Sequence, residues 1–584
     1  MKKIIFFIAV IGFFIQSCKQ SNLLDPTLNS DLNRETTFAD STLTMRFLYG
    51  IYSDVSFTFS YKRWENITAG TDEASGEGWG TLTGPTQPFV MIYLGTMNAT
   101  ATGPYDNVWN TCWRNIRKSN VYLSDVKISP LSAGAQKMTT AEVRYLRAWY
   151  YSILLKNFGG VPLLGNQVFK HDDDLKMSRN TYEECVNYII SEIDAASADL
   201  PVDHLAQNFG RITKGACLAL KARVLLYAAS PLFNGGSIAT DEVKKALTSY
   251  PNYNADRWQK AADAAQAVIN MGIYSLVEDN TTAPGYGFSQ MFLTRKNSEY
   301  ILYGMQAPNK TLEQRLLPPS RGGSTVESMP TQNLAEAFGM IDGKPIVDGG
   351  PVAKSPLFLP KDPFKKRDPR FNYTFIYNET PWFNNATGKK DPIYTYVGAT
   401  RDGYNFVKNS TGYFWRKMMS DNTANTGGGN VDRCLPLIRY AEILLAYAEA
   451  KNELGDVNAA YEQIKLIRKR AGIEPGSDGL YGLPAGLGKD AMRKVLQNEN
   501  RVEFAYEDHR FWDVRRWKIA KETQTQKVYA MKITRTTAGT YEYVKELANP
   551  DKNGDQVFYE SNYLFPIMQS EINKNTALIQ NPGY

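Results

Sequence analysis

The chain has 584 residues, 66 Lys and Arg against 60 Asp and Glu, and 43% hydrophobic residues. That is several times single-domain size with enough apolar content for a large core, which excludes a disordered or fibrous chain. A net charge of +6 over this length is too dilute for a nucleic-acid interface, and His171, His204 and His509 lack the spacing of zinc ligands.

Met1-Lys2-Lys3 precedes an almost continuous apolar run from Ile4 to Ile15. The run is too short to span a bilayer comfortably and reads as the core of a secretory signal. Gln16-Ser17-Cys18 then resembles a relaxed bacterial lipoprotein signal, in which residues 1–17 are removed and Cys18 carries lipid. The alternative is an ordinary signal peptide with an incidental cysteine. Residues 18–35 are largely polar and are expected to be a tether. Cys112, Cys185, Cys217 and Cys434 are widely spaced and read as small buried hydrophobes rather than a disulfide scaffold.

Helical periodicity starts at Thr140, with Val143, Leu146, Tyr150, Ile153 and Leu154 on one face and Gly159-Gly160 as the stop. Thr181 and Glu184 form a capping box for the next helix. An Ala-rich helix follows from about Thr213 to Ala229, and a further one is expected with Asp256 as its cap. Arg439 to Leu454 and Asn458 to Ala471 read as a helix pair broken by Gly455-Asp456, in the manner of a tetratricopeptide unit. A final helix starts near Asp490. Residues 50–110, 280–430 and 525–563 are dense in Gly, Pro, Asn, Thr and aromatics, with strands expected only in short runs such as Tyr373 to Tyr377 and Ile393 to Val397. Irregular regions of this length imply functional surface on a helical frame.

Four stretches stand out together: Phe158-Gly159-Gly160-Val161-Pro162-Leu163; Gly210-Arg211-Ile212-Thr213-Lys214-Gly215 running on to Ser230-Pro231; Arg439-Tyr440-Ala441-Glu442-Ile443-Leu444-Leu445 with Ala448-Glu449-Ala450; and Phe504 to Trp517 with the tail motifs Tyr563-Leu564-Phe565-Pro566-Ile567 and Asn581-Pro582-Gly583-Tyr584. In this order they resemble one family, the SusD/RagB outer-membrane nutrient-binding lipoproteins. Tyr506 stands where the family more often has Phe. The resemblance implies an all-α fold of irregular tetratricopeptide-like helix pairs in a superhelical frame, decorated by long loops and short strands. It implies an N-terminal SusD-like region over residues 36–280 and a C-terminal SusD/RagB region over 281–584, packed as one body. It further implies lipid anchoring at the outer-membrane surface, a glycan or sometimes a peptide as ligand, and a SusC-like TonB-dependent transporter as the partner that the lipoprotein covers as a lid. No cofactor is implied.

Glycan capture needs aromatic faces for the apolar side of a sugar ring and planar polar groups for its hydroxyls, both outside helical stripes. Asp72 with Trp79, Tyr286, Trp382 with Phe383, and Tyr396 with Arg401 meet that condition and are the expected ligand residues. The dense polar run Glu499, Arg501, Glu503, Glu507, Asp508, His509, Arg510, Asp513, Arg515 and Arg516 reads instead as a paired-charge network that locks the last helix in place. Asp551-Lys552-Asn553-Gly554-Asp555 has the alternation of a calcium loop but Asn562 where the twelfth-position Glu belongs, so no metal is expected. The rival functions are an exported glycan-degrading enzyme, for which no nucleophile motif is found, and a peptide-binding or purely scaffolding surface protein.

Overall fold

The computed structural model describes residues 33–59, 67–75, 88–100, 104–170, 172–323, 328–405, 409–427, 429–548 and 556–584. Cys18, Trp79, His171 and residues 551–555 lie outside these ranges.

Local signals set the helices. α1 (Ser41–Tyr52) starts where the Asp40 carboxylate accepts from Leu43 N, a cap worth about 1 kcal/mol. α2 (Pro104–Asp125) leads to α3 (Ala133–Phe158), which begins before the expected Thr140 because Ser132 caps it by accepting from Ala135 N. Gly159 ends α3 at φ +78°, and a Cβ there would meet Leu247 O at 2.6 Å. Both facts require glycine. α4 (Tyr182–Ser197) carries the complete Thr181–Glu184 capping box. α5 (Lys214–Ala229) is capped by Thr213. α6 (Asp256–Ile269) differs from expectation: Asp256 is its first residue, and Asn254 Oδ1 accepts from Asp256 N. α7 (Tyr440–Glu453) and α8 (Val457–Arg470) are separated by Gly455 at φ +93° and by Asp456, which accepts from Ala459 N. α9 (Lys489–Glu503) and the short α10 (Arg510–Arg516) follow.

Successive helices pack on one another from α2 to α9, and α6 packs directly on α7 although residues 270–439 lie between them in sequence. The frame is therefore an irregular tetratricopeptide-like stack carrying one long insertion. At the α5–α6–α7 seam Trp258 is buried among Leu226, Ala229, Ala261, Ala262, Ala446 and Ala450, and the small side chains let the helices approach closely. Phe158 packs edge-on to Trp109 at 5.1 Å and meets Phe565 at 6.4 Å, so the two ends of the chain share one core. Among the described residues no helix is long and apolar enough to cross a membrane.

The strands are short: β1 (Ala74–Ser75), β2 (Tyr300–Gly304), β3 (Met329–Pro330), β4 (Phe375–Ile376), β5 (Thr380–Asn384), β6 (Lys389–Ile393), β7 (Phe414–Trp415), β8 (Leu435–Arg439), β9 (Tyr529–Arg535) and β10 (Tyr541–Leu547). They form two-stranded antiparallel pairs, β1–β3, β2–β8, β4–β7, β5–β6 and β9–β10. The strand expected over Tyr373 to Tyr377 is confined to β4 at Phe375–Ile376, because the helical turn Pro369–Thr374, capped by Asp368 and opened by Pro369, takes in Tyr373 and Thr374. That expected from Ile393 to Val397 ends at Ile393, after which Thr395 N turns to donate to Asn378 Oδ1.

Candidate ligand-binding site

The structure distributes the expected ligand residues unevenly. Asp72 is buried, taking hydrogen bonds from Arg501 Nη2 at 2.8 Å and from Arg510 Nε and Nη2 at 3.0 Å each. Burial opposes its ionisation, but the two guanidiniums outweigh that and hold the carboxyl below its usual range. Trp382, expected to stand free of packing, is instead fully buried, with Nε1 donating to Thr423 O at 2.8 Å. The reason is strand alternation: β5 turns Thr380 and Trp382 inward and Pro381 outward. Phe383 and Tyr286 are half-buried. Arg416 lies 5.6 Å from the rings of both Tyr373 and Trp382, and the Trp382 ring is packed within the insertion rather than offered to solvent.

Tyr396 belongs to a second group, and this one is half-buried with one exposed ring. Tyr394 and Tyr396 follow β6, with ring centroids 5.8 Å apart and Tyr394 42% exposed. Tyr396 is also 5.8 Å from Tyr541, which is 6.5 Å from Tyr543 on the same face of β10. Tyr543 is backed edge-on by Phe364 at 5.4 Å. Val397 N donates to Ile533 O at 2.8 Å, which ties the tyrosine loop to β9.

Polar groups frame the rings. Arg535, paired in register with Tyr541, holds its guanidinium 5.8 Å from the Tyr396 centroid. Tyr541 Oη donates to Glu379 Oε1 at 2.9 Å. Glu379 is exposed and left-handed at φ +70°, a conformation that costs a non-glycine residue about 1–3 kcal/mol and is held here by its surroundings. Burial, joined by the Glu379 charge, raises the Tyr541 hydroxyl above its usual value and keeps it a donor. Arg401 is exposed further along the same loop. The arrangement offers ring faces for stacking, a carboxylate acceptor and a guanidinium donor, which is hydroxyl-reading chemistry.

The polar run before α10 is spent on the frame. Arg439 donates to Glu299 at 2.8 Å, Glu503 at 2.7 Å and Glu507 at 2.7 Å. Arg470 bridges Glu299 and Glu503, and Arg370 bridges Asp368, Glu499 and Glu503. Arg468 pairs with Glu499 and Lys417 with Glu507. Five acids thus face five bases with almost no solvent, a neutral lattice at the junction of α7, α8, α9 and the insertion. Arg515 departs from the expected pairing. Among the described residues it has no carboxylate partner: its guanidinium lies 3.4 Å from the Phe511 centroid and donates to Phe511 O and Asn562 O.

A model of the SusD family matches residues 288–584, just over half of the chain. The chain belongs to the SusD family. A second model, described as starch-binding associating with outer membrane, matches residues 88–226 of this SusD-family protein. SusD-like protein P2 of Formosa agariphila is 28% identical over 162 residues, which span 27% of this chain and 28% of that relative's length. A SusD-like protein of Bacteroides fragilis superposes with a TM-score of 0.74 at 24% identity, covering 94% of this chain and 98% of its own. A laminarin-binding SusD-like protein gives a TM-score of 0.62 at 19% identity, over 94% and 100%. Likeness at these identities establishes the shared SusD fold.

Sequence reasoning missed Glu379, Tyr394, Arg535, Tyr541 and Tyr543. For the SusD-family hairpin a signal was present: Tyr541-Glu542-Tyr543-Val544 alternates after the turn-forming Thr537-Ala538-Gly539-Thr540. For Glu379 there was none, since its place depends on a left-handed backbone.

Proposed function

We propose that this protein is a surface lipoprotein, anchored in the outer membrane through lipid on Cys18, that captures a glycan and passes it to a SusC-like TonB-dependent transporter which it covers as a lid. The observation that carries this reading is the tyrosine fan Tyr394–Tyr396–Tyr541, with Tyr394 exposed, Tyr396 and Tyr541 half-buried, and Glu379 and Arg535 at its flanks. Membership of the SusD family supports binding rather than bond cleavage as the activity. In this reading Arg401 and Phe383 extend the ligand surface; Trp79 lies outside the described residues, and Tyr286, expected in a loop, instead opens the short helix Tyr286–Met291.

The test uses the mature protein and calorimetric titration with laminarin and soluble starch, the glycans named for a structural neighbour and for the second family model. Binding of either, lost on replacement of Tyr396 and Tyr541, supports the reading. Capture of a transporter barrel without affinity for any polysaccharide would leave a scaffold. New reducing ends after incubation would make the protein an enzyme.

A further inference from the structure

The last turn of α3, α5 and the corner between α9 and α10 enclose a cavity of about 90 Å³, lined among others by Trp149, Lys156, Arg223, Asp508, His509 and Trp512. It shares no residue with the tyrosine fan. The corner is bent by two left-handed non-glycine residues, Tyr506 at φ +63° and Asp508 at φ +61°. Tyr506 is accounted for by packing, its ring 3.9 Å from that of Trp415. Asp508 is not.

Most charges that face the cavity are already matched. Arg223 makes two 2.6 Å bonds to Glu442. Glu507 is held by Arg439 and Lys417. His509 stacks on Phe504 at 4.2 Å, and burial, together with Arg223 and Arg439, holds its ring neutral. Lys156 and Asp508 remain. Among the described residues the only direct partner of the Lys156 ammonium is the Trp512 ring, 4.2 Å away, and the Asp508 carboxylate receives no hydrogen bond or ion pair. Burial, joined by Arg223, pulls Lys156 down to about 7, and burial pushes Asp508 up to about 7 with Lys156 opposing. The cavity therefore presents one base and one acid, each half-buried and, among the described residues, without a direct counter-ion, beside two indoles.

We propose that this cavity binds the head of a small zwitterion of the α-amino-acid type, its carboxylate at Lys156 Nζ, its ammonium at the Asp508 carboxylate, and its side chain against the Trp149 and Trp512 rings. Opposite charges held apart on one ligand satisfy both groups at once, which neither a neutral glycan nor a simple anion does. The site goes beyond the glycan reading and stands or falls apart from it.

The experiment is calorimetric titration of the mature chain at pH 7 with glycine, alanine and phenylalanine, and with their N-acetyl and amide forms, up to about 10 mM. A free amino acid is expected to bind, and blocking either end should weaken it at least tenfold. Lys156→Met keeps an apolar stem on Trp512, and Asp508→Asn keeps a residue that tolerates the left-handed backbone. Each should cost at least tenfold at a similar melting temperature, while Tyr396→Ala leaves amino-acid binding unchanged. No heat from any free amino acid, or equal binding of the blocked forms to the wild-type chain, overturns the proposal whatever the variants do.

Discussion

Asp72 and Arg510 are joined by two hydrogen bonds of 3.0 Å across 438 positions of sequence. Arg501 adds a third contact to the same carboxylate at 2.8 Å. Together they pin the root of β1 to the corner between α9 and α10. An acid that the sequence places in a glycine-rich loop, as a sugar-binding group would be, is thereby part of the frame.

Replacing Asp72 with Ala leaves two mostly buried guanidiniums without their carboxylate. Stability should fall by about 3–5 kcal/mol, while the glycan affinity of the folded fraction stays within about twofold. Urea unfolding paired with titration checks both halves. Lost binding at unchanged stability would return Asp72 to the ligand surface.

The neighbouring Glu73 predicts a pH effect of definite sign. It is 1% exposed, its closest cation is Arg501 at 3.7 Å, and burial pushes its carboxyl up to about 7 against the pull of Arg501 and Arg510. A raised folded-state value means a contribution fully present below the unfolded pKa of about 4.3 and lost as pH rises through about 7. Glu73→Gln removes that loss and should be the more stable form at pH 8 by up to about 3 kcal/mol, with the difference vanishing near pH 4.5. Melting temperatures of both proteins across this range decide it; parallel curves would refute the assignment.

The helical frame was legible because its signals are local. The Thr181–Glu184 box and the Gly455-Asp456 break each fix a helix end with residues at most four apart. The site was only partly legible because its contacts are not local. Tyr396 meets Tyr541 across the whole of α7, α8 and α9, and no periodicity encodes that meeting. Trp382 misled for a related reason: in a five-residue strand that itself contains Pro381 and Asn384, one inward position looks like a loop aromatic until its partner strand is known. The direct packing of α6 on α7 was likewise hidden by the insertion between them.

Glu503 and Arg515 should respond differently although both are buried. Glu503 contacts Arg370, Arg439 and Arg470, and these, outweighing burial, hold its carboxyl well below the usual range. Its stabilisation is present above the unfolded value of about 4.3 and is lost as pH falls. Glu503→Gln should cost about 3–5 kcal/mol near neutrality and less in acid. Arg515 is matched to carbonyls and rings, and burial pulls it down to about 9. Arg515→Met should keep most of the packing, with a cost nearer 1–3 kcal/mol for the unpaired carbonyls, and should loosen the tail that follows Asn562, read as faster amide exchange there. Equal costs for the two variants would argue against this division.

Cys18→Ser should abolish lipid attachment and release a soluble, folded protein. The expectation rests on the apolar run before Cys18 and the polar residues after it. Fractionation in a strain lacking the transporter is the check, since a protein partner would otherwise retain the variant. Retention in the membrane fraction of that strain would refute the lipid assignment.

The tyrosine fan and Trp382 give the sharpest contrast, because one aromatic set is half-buried with one exposed ring and the other is core. Tyr396→Ala with Tyr541→Ala removes two half-buried rings and the hydroxyl that holds Glu379, while Phe364 and the β9–β10 ladder remain. Exposed aromatic contacts in stacking geometry are worth about 0.5–1.5 kcal/mol each beyond their area. The double variant should therefore lose at least tenfold in glycan affinity, about 1.4 kcal/mol, with little change in melting temperature. Trp382→Ala empties a fully buried site and orphans Thr423 O. It should cost about 3–5 kcal/mol of stability and alter affinity only through the fraction that unfolds. Calorimetry on the three proteins with a glycan that the wild type binds separates the two effects. If Trp382→Ala alone abolishes binding at an unchanged melting temperature while the tyrosine variant binds normally, the ligand surface lies on the β5–β6 hairpin and not on the fan.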